Sequence, residues 1–235
     1  MATTSLLNYQ ASSAIVGALL GLESGYADPP SLPEQGYVEG LRGGAVVLLV
    51  AAFENYLKES FSEALDDINT AKPPCNFAKL PIGLQTQAVW TGLDYAMKGR
   101  PGDPSADRAS RLPSLLDTVR RINNGELIAD AVAKTAGNPD SSTVKAIYKY
   151  VDYSSPFTKL KPSFDRAWGT PTAQTFIVDT LDTIVGRRHV VAHTASILNT
   201  SRADLASWKL FMDTLTGVMD PALERHVARI ISRAQ

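Results

Sequence analysis

The residues best equipped for chemistry lie in one run, Gly186-Arg187-Arg188-His189-Val190-Val191-Ala192-His193. An imidazole titrates near pH ~6.5 and moves protons at neutral pH. A guanidinium stays cationic and offers a planar fork to a phosphate or carboxylate. At about 100° per residue, Ile177, Leu181, Ile184, Val191 and Ala195 share a helical stripe roughly 80° wide, and Arg188 falls in its middle. An arginine there costs several kcal/mol (~2 or more) unless it pairs with a core carboxylate, reaches past its neighbours or faces a polar interface. His189 and His193, four apart, share the adjacent face about 120° away. Two histidines at that spacing are also half of a metal site. Only His226 remains to complete one, and the chain has no CxxC or HExxH pattern, so neither a metal nor another cofactor is expected.

The elements that must hold this run read as helices. A first helix is expected from about Thr4 to Leu22, carrying Leu6, Leu7, Ile15, Leu19 and Leu22 and stopping near Gly25. The prolines between Asp28 and Pro33 make a loop. A long second helix follows over about Tyr37–Ile68, apolar nearly all round from Ala45 to Ala52. It then becomes amphipathic, with Phe53, Leu57, Phe61, Ala64 and Ile68 on one side. Lys72-Pro73-Pro74 breaks the chain before a third helix over about Pro81–Met97. Gly99 to Pro113 reads as a surface loop or short linker. Short helices are expected over 115–122, 126–135 and 142–151, the last capped by Ser141 or Ser142.

Thr170-Pro171 is expected to start the helix that carries the Arg/His run. Ser201 with Asp204 resembles a capping box for the next helix, which runs to Met219. Pro221 then kinks that helix or starts a new one after an Asp220 cap. No strand alternation or fixed-period repeat is present. The chain reads as all-α, one domain over 1–235 with an insert of short helices within 99–168.

Composition sets the outer limits. The chain has 235 residues, 44% hydrophobic and 20% charged, which supplies a core and excludes a mainly disordered chain. The formal charge is −1, yet residues 141–235 carry 12 Lys/Arg against 8 Asp/Glu. That basic end fits an anionic partner, and it equally fits solvated helix faces. The single cysteine, Cys75, excludes an internal disulfide and fits a reducing compartment. No Lys or Arg precedes the first apolar stretch, so it does not read as a secretory signal. The run Gly43–Phe53, bounded by Arg42 and Glu54, is shorter than the roughly 20 residues that span a bilayer. A soluble, cytoplasmic protein with no membrane partner is expected.

Arg188 to His193 resembles the signature of the HEPN superfamily (higher eukaryotes and prokaryotes nucleotide-binding domains). That signature is an arginine, commonly a polar residue next, then a histidine after four to six intervening positions. Arg188 leaves four and Arg187 leaves five, so either arginine fits the register. The segment Arg42–Leu65, running into Phe53-Glu54-Asn55-Tyr56-Leu57, is similar to the early helix of the bacterial RiboL-PSP-HEPN branch. HEPN toxins paired with nucleotidyltransferase-like antitoxins have Tyr two places after the histidine; Ala195 stands there in this chain, a departure from that branch.

The resemblance implies a HEPN-like helical bundle and a metal-independent endoribonuclease. It would act as a homodimer in which Arg and His of both copies meet across the interface, so that Arg188 faces a shared polar cleft. RNA is then the substrate, with an antitoxin or defence-system protein as a further partner. His193 would transfer protons and Arg188 would hold the scissile phosphate. His189 would orient His193 or touch phosphate, or is simply a solvated helix residue. Glu54 would pair with Arg188 or position a histidine, or else pairs with Lys58 on the surface. Arg225, Arg229 and Arg233 form a basic ridge that would track an RNA backbone or remain a solvated terminal helix. Trp90, Trp168 and Trp208 are expected in the core. A HEPN-like RNA- or nucleotide-binding or dimerisation module without catalysis is the alternative, and a helical scaffold is a third reading.

Overall fold

Apolar periodicity and proline breaks divide the chain into eight α-helices among the described residues, where no strand occurs. The computed structural model describes residues 2–98, 107, 109–128, 135, 138–194, 197 and 199–235, without the side chains of Tyr95 and Thr194. The helices are α1 (Thr4–Glu23), α2 (Gln35–Thr70), α3 (Ile82–Lys98), α4 (Leu112–Asn123), α5 (Ser141–Tyr150), α6 (Pro156–Trp168), α7 (Phe176–Thr194) and α8 (Arg202–Ala234). The fold is all-α.

The chain groups into two compact units. The first comprises Met1–Leu57, Thr135–Val144 and Ser155–Ala222, and the second Lys58–Lys134, Lys145–Ser154 and Leu223–Gln235. In the first unit, α2 buries Val46, Leu49, Val50 and Phe53, and α7 buries Ile177, Leu181, Ile184 and Val185. The helix α2 comes close to α7, because a Cβ placed on Gly43 would meet Val191 Cγ1 at 3.1 Å. A small residue at 43 therefore sets how near the Arg/His helix lies to α2. In the second unit Phe61, Leu65 and Ile68 of α2 are buried, as are Leu84 of α3, Ile147 and Tyr148 of α5, and Val227 of α8. Phe53, Leu57, Phe61, Ala64 and Ile68 are all buried, as their periodicity requires.

Several local expectations are corrected. The start at Thr170-Pro171 is displaced to Phe176, because Asp165 of α6 accepts hydrogen bonds from the Thr172 amide (3.2 Å) and hydroxyl (2.8 Å). Those bonds tie the segment to α6 rather than release it into a helix. The helix α6 is absent from the sequence reading, since Pro162 lies inside it. That proline is exposed, and burial of Phe157, Leu160 and Phe164 outweighs one missing backbone donor. Pro221 does not restart a helix: α8 runs continuously through it, with buried Met219 and Leu223 on either side of the proline.

The cap of α5 is Asp140, not Ser141 or Ser142; its Oδ1 accepts the Thr143 amide at 2.8 Å and the Ser142 hydroxyl at 2.8 Å. The expected helix 126–135 is not seen at 126–128, and residues 129–134 lie outside those described. Ala195 and most of 99–108 also lie outside them.

Trp90 is not a core residue: it is 72% exposed on α3. Trp168 and Trp208 are half-buried, the former stacked on Phe164 (5.6 Å) and the latter packed on Val46, Ile197 and Leu205. The helix α1 buries a polar face, with the Tyr9 and Ser13 hydroxyls donating to Asp213 at 2.9 and 2.6 Å, and turns Leu7, Ile15 and Leu22 outward. By length and composition alone α1 and α2 would each cross a bilayer, a length that Gly43–Phe53 does not reach by itself. Half of the α2 stretch is buried within the protein.

Candidate functional site

The helix α7 divides its faces by what they touch. Ile177, Leu181, Ile184 and Val185 are buried, and Val191 packs against the cluster of Val46, Ile197 and Leu205. Arg188, in the middle of that stripe, is half-buried and not sealed in the core. The opposite edge carries Asp182, Gly186, His189 and His193, spaced 4-3-4 along one face. His189 and His193 are exposed, and their rings meet edge to face with centroids 4.4 Å apart.

The first turn of α5 is bound to this face. Asp182 accepts the Ser141 amide at 2.8 Å and the Ser141 hydroxyl at 2.8 Å. Between the two helices a cleft of about 380 Å3 is lined by Asn138, Asp140, Ser142, Asp182, Gly186 and His189. Burial pushes the Asp140 carboxyl up, and hydrogen bonds from Thr143 and Ser142 outweigh it, so the group stays below the usual carboxylate range.

The two adjacent arginines are both half-buried. Arg187 donates from Nη1 to the Asn199 side-chain oxygen at 3.1 Å. Arg188 and His193 are five positions apart, about 140° around the helix and about 7.5 Å along it, so their side chains leave α7 on different faces. The arrangement can present an imidazole pair to solvent and hold a cation at half burial beside it.

Asn199 is itself fixed through its neighbour by a buried cluster that sequence reasoning missed. Arg42, 1% exposed, donates to Glu23 Oε1 from Nε (2.8 Å) and Nη2 (2.6 Å). It also donates to Asp28 (2.9 Å) and to the Thr200 carbonyl (2.8 Å). Arg202 completes the cluster, donating to Glu23 Oε2 at 2.6 Å and to the Tyr26 carbonyl at 2.8 Å. Burial pushes the Glu23 carboxyl up, but hydrogen bonds from Arg202 and Arg42 and their charges prevail and lower it. A hydrogen bond from Arg42 chiefly lowers Asp28. Among the described residues the buried arginine is thus Arg42, while the helical wheel drew attention to Arg188. The signal available in the sequence was Arg42 heading an apolar run with two carboxylates, Glu23 and Asp28, shortly before it.

Glu54 accepts a hydrogen bond from the Thr135 hydroxyl at 2.6 Å. Arg225 and Arg229 are exposed on α8 in the second unit, where Arg225 borders a cleft of about 540 Å3 with Asp67, Lys72 and Glu224. Beside them, His226 meets the Val151 carbonyl at 2.6 Å and the Tyr153 ring at 4.8 Å. Among the described residues no three His, Cys, Asp or Glu side chains converge to hold a metal ion.

No curated protein and no solved structure matches the chain. A family model, RiboL-PSP-HEPN, matches residues 18–220, a span that takes in α2, the Arg187–His193 run and the Asp182 face. With well over half of its length matched in this way, the chain belongs to the RiboL-PSP-HEPN family.

Proposed function

We propose that the protein is a metal-independent endoribonuclease whose site is completed by a second copy of the chain, acting in defence, stress response or a toxin–antitoxin pair. The observation that carries this reading is the exposed imidazole pair His189–His193 on the helix that also bears half-buried Arg188. Many HEPN proteins act in this way, with Arg and His of two protomers meeting. The separation of Arg188 from His193 around α7 is a reason for needing two copies: one copy's arginine and the other copy's histidine face one phosphate.

RNA brings its own nucleophile, so the protein has to supply only proton transfer and charge stabilisation. His193 takes the proton from the 2′-hydroxyl, the 2′-oxygen bonds to phosphorus, and the bond from phosphorus to the 5′-oxygen breaks. The leaving 5′-oxygen receives a proton from the second imidazole of the paired site. The products are a 2′,3′-cyclic phosphate and a 5′-hydroxyl. Arg188 holds the non-bridging oxygens while charge develops on them. His189 orients His193 through the ring contact, and Arg225 and Arg229 contribute non-specific attraction for the RNA backbone.

Purified full-length protein is expected to cut single-stranded RNA in EDTA, and His193→Ala to lower the rate by about 10²–10⁴-fold. Cleavage that survives both His193→Ala and Arg188→Ala overturns the reading. A dimer that binds RNA and never cuts it is the outcome for a non-catalytic HEPN module.

A further inference from the structure

The cleft between α5 and α7 has a chemistry of its own. Its lining offers acceptors: the carboxylates of Asp140 and Asp182, the Ser142 hydroxyl and the Asn138 amide. Asp140 is held anionic by the hydrogen bonds at the start of α5. Two carboxylates repel a phosphate, yet each carboxylate has more lone pairs than its intramolecular bonds use and favours a ligand that donates N–H. At about 380 Å3 the space suits one planar heterocycle.

Gly186 is the second pointer. A glycine inside a helix weakens it relative to alanine, and packing does not require one here, because a Cβ at 186 would meet no atom within 4 Å. What the missing side chain leaves is room over the floor of the cleft. The third pointer is position: His189 forms one wall and touches His193 at 4.4 Å.

We infer that this cleft is the base-recognition subsite for the RNA. It takes a nucleobase that carries an exocyclic amino group, adenine, cytosine or guanine, in preference to uracil. The inference rests on the ribonuclease reading above for the nature of its substrate. Adenine and cytosine present an amino group with two N–H donors to the carboxylates, and guanine presents an amino group beside a ring N–H. Uracil flanks its single ring N–H with two carbonyl oxygens, which the carboxylates repel. The base neighbouring the scissile phosphate enters against His189, Gly186 lets it approach the helix backbone, and the phosphate remains outside with His193.

Two measurements on the full chain test this separately from catalysis. Binding of 2′-O-methyl homopolymers of A, C and U, which lack the nucleophilic hydroxyl, is expected to favour A or C over U by about tenfold, the worth of one hydrogen bond to a charged acceptor. Gly186→Leu fills the cleft and is expected to bring that preference within about twofold while the thermal midpoint holds or rises. Asn138→Leu, an exposed substitution on the other wall, is expected to do the same. Cut sites mapped in mixed-sequence RNA are expected to show the wild-type preference beside the broken bond and its loss in both variants. Equal binding of the three polymers by the wild type, or a preference that survives both substitutions, overturns the subsite. A binding preference without any cleavage supports the subsite and overturns the nuclease reading alone.

Discussion

At the scale of single residues, two adjacent arginines on α7 are distinguished by where they stand in the Arg/His signature, since Arg188 leaves four positions before His193 and Arg187 leaves five. Arg187 is held by Asn199, and Arg188 stands at half burial in an otherwise apolar stripe. Loss of a preorganised donor to a developing oxyanion typically costs about 10²–10³ in rate. Arg188→Ala is therefore expected to lower RNA cleavage by about that factor, and Arg187→Ala by less than about fivefold. Single-turnover cleavage of a defined oligonucleotide by the two variants checks the assignment; the opposite order would move the register by one position. The run itself was legible, because residue type and spacing lie in the sequence. The partner of Arg187 was not, because Asn199 is twelve positions away, beyond the end of the helix, and no periodicity announces it.

At the scale of elements, α5 is positioned by carboxylates rather than by its serines. Asp140 caps it from before the first turn, and Asp182 reaches across from α7 to Ser141. Replacing an aspartate cap by alanine typically costs about 1 kcal/mol. Asp140→Ala is expected to lower stability by about 1 kcal/mol in urea unfolding followed by circular dichroism, with no change in the dependence on urea. The capping box expected at Ser201 forms as drawn. Asp204 accepts the Ser201 amide at 3.0 Å and hydroxyl at 2.7 Å, and donates its own amide to Ser201 Oγ at 3.1 Å. Both ends of that motif sit within four residues, which is why the pattern alone sufficed. Ser141 looked equally good locally; Asp140 and the distant Asp182 took its place through a contact across 41 residues.

At the scale of the whole molecule, the cluster of Arg42, Glu23, Asp28 and Arg202 fastens the end of α1 and the segment before α8 to α2. Removing one partner strands the others in a buried position, at a cost of about 3–5 kcal/mol. Arg42→Met is expected to lose roughly that much in chemical denaturation, and a loss under about 1 kcal/mol would show that the cluster contributes little net stability. Glu23 and Asp28 titrate below their unfolded values. Their contribution is therefore complete above the unfolded carboxylate range of about pH 4 and is lost as the pH falls through it. Thermal midpoints are expected to drop steeply below about pH 4 and more gently in Arg42→Met. Sedimentation of the wild type is expected to give a dimer; a monomer that still cuts RNA would remove the need for a composite site.

Helix periodicity, proline breaks and the Arg/His spacing are properties of neighbouring residues, and the sequence alone was enough to establish the all-α class, the amphipathic half of α2 and the residue types and spacing of the Arg187–His193 run. Burial is a property of what packs opposite, and only the tertiary structure decided it. It sealed Arg42 rather than Arg188, left Trp90 in solvent, carried α8 through Pro221 and brought Asn138–Ser142 against Asp182 and His189 to make the cleft. A helical wheel reports the direction in which a side chain leaves its helix, while the free energy of a charge depends on the carboxylates and water that meet it there.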